Sequence, residues 1–378
     1  MIHSPVRPGS SPERSEFAMS PVKLPARVPL SSVVLLVLLA APGVCRAADL
    51  ATASANAHKW LKSQMVSTGL VDSYRDKSDI CYSYDQAVAA MAFVARGDFV
   101  NARRVLNALA SLQNADGSWN HSYACTTGNV LGAQRYVGSN AWIVLAIAHY
   151  EKRTGDTVTY HVMGERAVNW MRLFQQGDGG LNGGYDANGA FINWASTEHN
   201  EDSYGGLNHF AYTSDGAEVK SFLDNVVWNA SQDRWNQGRN DPLDPLDVNP
   251  LGVQALGTSG VRPYVLSLNY AYSHHRNVQT WGKGRIRIQV DGFDFNSDHN
   301  DIWVEGTAQM AKALFLSGSS NDGTYFLQQL IQTQSNSGGL PYSVKGTFNG
   351  DFTMSKNEAV ASTGWLILAI ESINPLKP

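Results

Sequence analysis

Charge is scarce in this chain. Only 16% of its 378 residues are Asp, Glu, Lys or Arg, and the basic ones form no run. Nucleic acid and anionic membranes need a concentrated cationic surface, so neither is expected as a partner. Cysteine is nearly missing, with three in all, which excludes a disulfide-dense scaffold. Strand character is confined to one stretch, GRIRIQV at Gly284–Val290, read as part of a β-hairpin inserted in a long loop. The longest apolar run, VVLLVLLAA at Val33–Ala41, is too short to span a bilayer as a helix.

That run has a different meaning. Lys23 and Arg27 precede it and the small-residue stretch CRAAD follows, the order of a secretory signal cleaved near Ala47. Residues 1–47 are therefore expected to be removed, with Met19 a candidate true start. Val44 stands before Cys45 where a lipid-anchor signal carries a small residue, which speaks against a lipoprotein. A secreted or periplasmic bacterial protein of residues 48–378 is expected, free of the membrane after cleavage and monomeric. The removed segment holds five basic and two acidic residues, so the net charge of −4 falls to about −7. A neutral substrate suits that surface better than a polyanion. Two cysteines remain, Cys81 and Cys125. In an oxidising compartment one disulfide is the simple reading, two buried thiols the other.

A pattern then recurs along the chain. Gln64, Gln113, Gln175 and Gln334 are each followed six residues later by Leu70, Trp119, Leu181 or Leu340, with a glycine between. Short Gly–Asp turns alternate with these loops, at Gly97–Asp98, Gly155–Asp156, Asp215–Gly216 and Asp322–Gly323, with Gly260 marking another. Runs with apolar residues at i, i+3 and i+4 flank every turn and read as helices. About twelve helices in six pairs predict an all-α, (α/α)6 barrel. The helix before each short turn is apolar nearly all round, as an inner helix packed on both faces should be. Inner helices are expected to begin near Ser83, Ser139, Ser196, Pro245, Ile302 and Ala359.

The first turns of those helices carry Tyr84, Asp85, Asn140, Glu198, His199, Asn200, Asp202, Asp247, Trp303 and Glu305. All six inner helices would start on one face, so these side chains would share one rim. Loops add Trp119, Tyr123, Trp194 and Tyr342. Aromatic rings stack on sugar faces, amides and carboxylates bind hydroxyls, and two carboxyls do acid and base work. Polar residues also favour first helical turns through capping and the helix dipole, and Ser196 could cap its helix. Capping does not explain so many carboxylates beside tryptophans in one layer.

At SYDQA (Ser83–Ala87), STEHN (Ser196–Asn200) and WVEGT (Trp303–Thr307) the chain resembles the six-hairpin glycosidase superfamily, over approximately Ala51–Pro378. The resemblance implies an (α/α)6 barrel and an activity among inverting glycosidases, unsaturated glucuronyl hydrolases, sugar epimerases and polysaccharide lyases. DGSW at Asp116–Trp119 also resembles a repeat of terpene cyclases, but their aspartate-rich cluster is missing.

Glu305, beside Trp303 at the start of an apolar helix, is the expected general acid, and Glu198 or Asp85 the expected base. His199 would orient a carboxylate or bind a hydroxyl. Asp294, Asn296, Asp298 and Glu305 stand at positions of an EF-hand-like calcium loop, yet His299 replaces its glycine. No metal or cofactor is expected. The reading is a secreted glycoside hydrolase acting within a largely neutral polysaccharide or oligosaccharide, a glucan, with inversion. A polysaccharide lyase and a non-catalytic glycan-binding protein are the alternatives. The lyase would want cations for a uronic carboxylate, and the rim motifs offer scarcely any.

Overall fold

A computed structural model describes residues 49–76, 78–283, 286–349, 353–371 and 373–378. The segment read as an export signal lies outside the described residues. Twelve helices are present among them. Six form an inner ring: α2 (Ser83–Ala95), α4 (Val137–Thr154), α6 (Thr197–His209), α8 (Val248–Leu256), α10 (Val304–Leu316) and α12 (Val360–Ile370). Each packs on the next, and α12 returns to α2 to close the circle. The outer six are α1 (Leu50–Gln64), α3 (Phe99–Leu112), α5 (His161–Arg172), α7 (Thr213–Asn225), α9 (Leu266–His274) and α11 (Ser320–Ile331). They back α12, α2, α4, α6, α8 and α10 in that order. This is the expected (α/α)6 barrel, with inner helices starting within three residues of the expected positions.

Packing explains why the two rings differ in composition. In α12 Val360 to Ala369 are all buried, and in α2 Asp85 to Val94 are. The outer α3 buries only Ala102, Val105, Leu106, Ala108 and Leu109, one stripe of a 3.6-residue period.

The repeated glutamine belongs to the outer ring. Gln113 donates its amide to Gly117 of its own loop and to the Met163 carbonyl of α5. Gln175 does the same to Gly179 and to Asp215 of α7, and Gln334 to Gly338 and to Ala53 of α1. Each clip fastens the end of one outer helix to the next. Gly117 has φ +96°, and a Cβ there would lie 2.4 Å from the Arg166 carbonyl oxygen, so only glycine lets the loop sit so close. Gly179 and Gly338 repeat the approach against α7 and α1. Gln64, whose glycine stands one place later, bonds only Ser63 and makes no clip.

The hairpin is present and longer than expected, pairing Arg276–Lys283 with Ile286–Phe293. Strand structure is not confined to it. Short antiparallel pairs join Ile80–Tyr82, Ser122–Ala124 and Val130–Gly132, then Arg135–Tyr136, Gly184–Tyr185 and Phe191–Ile192, and finally Trp228–Asn229 with Arg234–Trp235. Two or three residues are too few to leave an alternating pattern in sequence. Cys81 and Cys125 form a disulfide across the first of these sheets. No helix among the described residues is long and apolar enough to cross a membrane.

Candidate active site

All six inner helices begin at the same end of the barrel, and a cleft of about 360 Å³ opens there. Nine of the expected residues line it: Tyr84, Trp194, Glu198, His199, Asp202, Asp247, Trp303, Glu305 and Tyr342. Helix periodicity accounts for the pairing. Glu198 and Asp202 are one turn apart on α6, and Glu305 and Gln309 one turn apart on α10, so each pair shares the face turned into the barrel.

Glu305 is 3% exposed. It accepts a short hydrogen bond from the Tyr84 hydroxyl, whose oxygen in turn receives the Trp365 indole N–H at 2.7 Å. Burial pushes its carboxyl up to about 8, and the nearby charges of Asp85 and Asp247 add to this. Asp247, at the start of α8, is pushed up to about 7 by burial although it accepts the Val248 N–H. Glu198 and Asp202 are raised well above the ordinary range by burial first and by the charges of Asp247 and Glu305, with Glu198 also raising Asp202. Among the described residues, no lysine or arginine lines the cleft. Its imidazoles are neutral, since burial lowers His199 to about 4 and lowers His121 as well. With no cation among the described residues to offset them, burial and mutual repulsion hold all four carboxyls above the ordinary range. Asp247, raised to about 7, releases its proton before Glu305, raised to about 8. An acid and a base then coexist in one cleft, the condition for general acid–base chemistry.

Five expected residues do not reach this cleft. Asn140 and Asn200 are fully buried and turn back toward the loops before their helices. Asn140 accepts the Trp119 N–H and donates to the Tyr136 carbonyl, while Asn200 accepts the Leu181 N–H and donates to the Ser196 carbonyl. Gln86, Asn249, Thr307 and Thr363 clamp Val71, Trp235, Phe293 and Leu340 in the same way. These residues hold the loops that carry the cleft walls. Trp119 is buried with its indole N–H given to Leu109, and the Tyr123 oxygen accepts the Asn120 N–H. Asp85 points behind the cleft, where Ser73 bonds it; burial raises it to about 7. Ser196 stands at the cap position of α6, but its side chain makes no capping bond.

The calcium-loop arrangement is not assembled either. Asp294 accepts the Phe295 and Asp301 N–H groups, while Glu305 turns into the cleft. The cleft also contains residues that were not anticipated: His121, Trp142, Gln237, Phe295 and Gln309. Trp142 and Gln309 lie a full turn inside their helices, where they read as core.

No protein-family profile matches this chain, and no curated protein matches it in sequence. Solved structures do match. A glutamate-to-alanine variant of a glycosidase in complex with glucose is 12% identical, with a TM-score of 0.67 over 89% of this chain and 100% of that one. A D-mannose isomerase is 11% identical, with a TM-score of 0.62 over 86% and 97%. An alpha-amylase from Clostridium perfringens is 10% identical, with a TM-score of 0.60 over 84% and 97%. At such identities the likeness is one of fold alone, and it agrees with the (α/α)6 barrel described above.

Proposed function

We propose that the protein is a secreted glycoside hydrolase acting on a largely neutral, glucan-like saccharide by carboxyl general acid–base chemistry. The observation that carries this reading is the set of four carboxyls, Glu198, Asp202, Asp247 and Glu305, in one aromatic-lined cleft that has no lysine or arginine among the described residues. Glu305 donates a proton to the leaving glycosidic oxygen. Asp247 at the start of α8, with Glu198 on α6 near it, provides the base that activates water. Inversion is the expected outcome, since a water between acid and base requires them well separated. Trp194, Trp303 and Tyr342 supply ring faces for the sugar, and neutral His199 supplies a hydroxyl contact. The glycosidase names of its structural neighbours agree with this chemistry.

The lyase alternative lacks the cations that would neutralise a uronic carboxylate, so the cleft favours hydrolysis. Incubation with a panel of neutral and uronic polysaccharides and oligosaccharides tests the choice. Released reducing ends without new ultraviolet absorbance are expected on the neutral substrates. Absorbance appearing with the reducing ends would mean lyase chemistry, and silence across the panel would leave a glycan-binding protein.

A further inference from the structure

Which part of a sugar chain the cleft can admit is a question of its walls. On one side, three rings that line the cleft, Tyr342, His121 and His199, are joined through Tyr74, Tyr82 and Tyr136 into one chain of ring contacts. Tyr342 lies 6.3 Å from Tyr74, Tyr74 6.5 Å from Tyr82, and Tyr82 5.1 Å from His121. His121 lies 5.2 Å from Tyr136, and Tyr136 6.3 Å from His199. Ring centroids 4.5–7 Å apart belong to rings that touch, and a pyranose chain cannot pass between them. The arc thus closes the α12, α2, α4 and α6 sectors. At its Tyr342 end, Ser343 pairs with Trp303, and Trp303 packs on Phe295 at 5.2 Å. That extends the wall across the α10 sector.

One stretch of rim is built differently. Gln237 and Pro245, before α8, carry no aromatic ring, and Trp194 in the same cleft lining lies against Gly238. Together with Phe295 they also line a second cavity of about 390 Å³, whose polar lining includes Asp244, Asn296 and Asp298. A groove open at both ends is what cleavage inside a chain requires. Among the described residues, it is through Gln237, Pro245 and Phe295 that the cleft shares its lining with a neighbouring cavity.

Resting on the hydrolase reading above, we infer that the site takes the end of a saccharide chain, not its middle: the terminal sugar enters the ring-walled pit and the rest of the chain leaves over Gln237 and Pro245. The expectation of attack within a polymer gives way to exo action. The second cavity then holds further sugar units through amide and carboxylate contacts with their hydroxyls.

The experiment compares linear gluco-oligosaccharides with the same chains blocked at both ends, reduced at one and benzylidene-capped at the other. Intrinsic tryptophan fluorescence reads binding, and chromatography reads products. Free chains are expected to bind and to lose one terminal unit at a time, while blocked chains bind roughly tenfold more weakly or worse. Tyr82→Ala removes one ring from the arc and is expected to recover binding of blocked chains, whereas Tyr82→Phe behaves as the unaltered protein. Equal binding of free and blocked chains, early release of mid-length fragments, or no binding of any chain would overturn the inference. Binding with end preference but without turnover would instead overturn the hydrolase reading and leave the pit intact.

Discussion

Helices α4 and α6 run side by side and carry buried carboxyls at both ends, treated in opposite ways. At the end away from the cleft, Glu151 is 2% exposed and both its oxygens are used. His161 bonds one at 3.1 Å and His209 bonds the other at 2.7 Å. At the cleft end, Glu201 and Asp202 are completely buried. Neither oxygen of Glu201 has a hydrogen-bond partner, and Asp202 has only a loose approach from the Trp142 indole. A buried carboxyl without partners costs several times what a paired one does. One end of the barrel is arranged for stability, while the other keeps acidic groups in a state that only a ligand or a proton relieves. Strain of this kind at one end and full satisfaction at the other is the usual trade between activity and stability.

The largest effect that would sharpen this contrast is on turnover. Glu305→Gln should lower the rate of reducing-end release by at least about a thousandfold while leaving the circular dichroism spectrum unchanged. The far end should respond in the opposite sense. Glu151→Ala removes the acceptor of two histidines and should cost about 2–3 kcal/mol in denaturant unfolding, with turnover retained. If that variant lost activity at full stability, the division of labour between the ends would be broken.

A smaller effect separates loop clamps from sugar ligands. Asn140→Ala leaves the buried Trp119 N–H without its acceptor and should cost about 1–2 kcal/mol, with KM moved little. A raised KM without destabilisation would make Asn140 a substrate contact after all. The smallest expected effect is electrostatic. Glu305 and Asp202 are raised in the folded state, so their contribution to stability is full below the ordinary carboxyl range and is lost as pH rises through the folded values. Melting temperature should therefore fall as pH rises from the ordinary carboxyl range toward 8, the upper end being set by Asp247 at about 7 and Glu305 at about 8. Asp202→Asn should flatten that slope.

The contrast also marks what the sequence could disclose. Helix pairs, the order of inner and outer rings and the common rim follow from periodicity and Gly-rich turns, and these come through within a few residues. The direction of a side chain around the first turn does not. Asp85 follows Tyr84 directly, yet one turns behind the cleft and the other into it, because successive helical residues differ by about 100°. Asn140 and Asn200 sit at the fourth position of α4 and α6, which faces the preceding loop in this barrel. Phe295, Gln237 and His121 come from loops, where periodicity has nothing to say.

The account rests on Glu305 holding a proton at neutral pH while a neighbouring carboxyl has released one. Carbon-13 NMR titration of the Glu305 side chain, read beside the alkaline limb of kcat/KM on the best saccharide substrate, tests this most directly. Both should show a midpoint near 8, the value to which burial pushes this carboxyl. A Glu305 carboxyl that ionises in the ordinary glutamate range, with kcat/KM undiminished above it, would contradict its role as the acid.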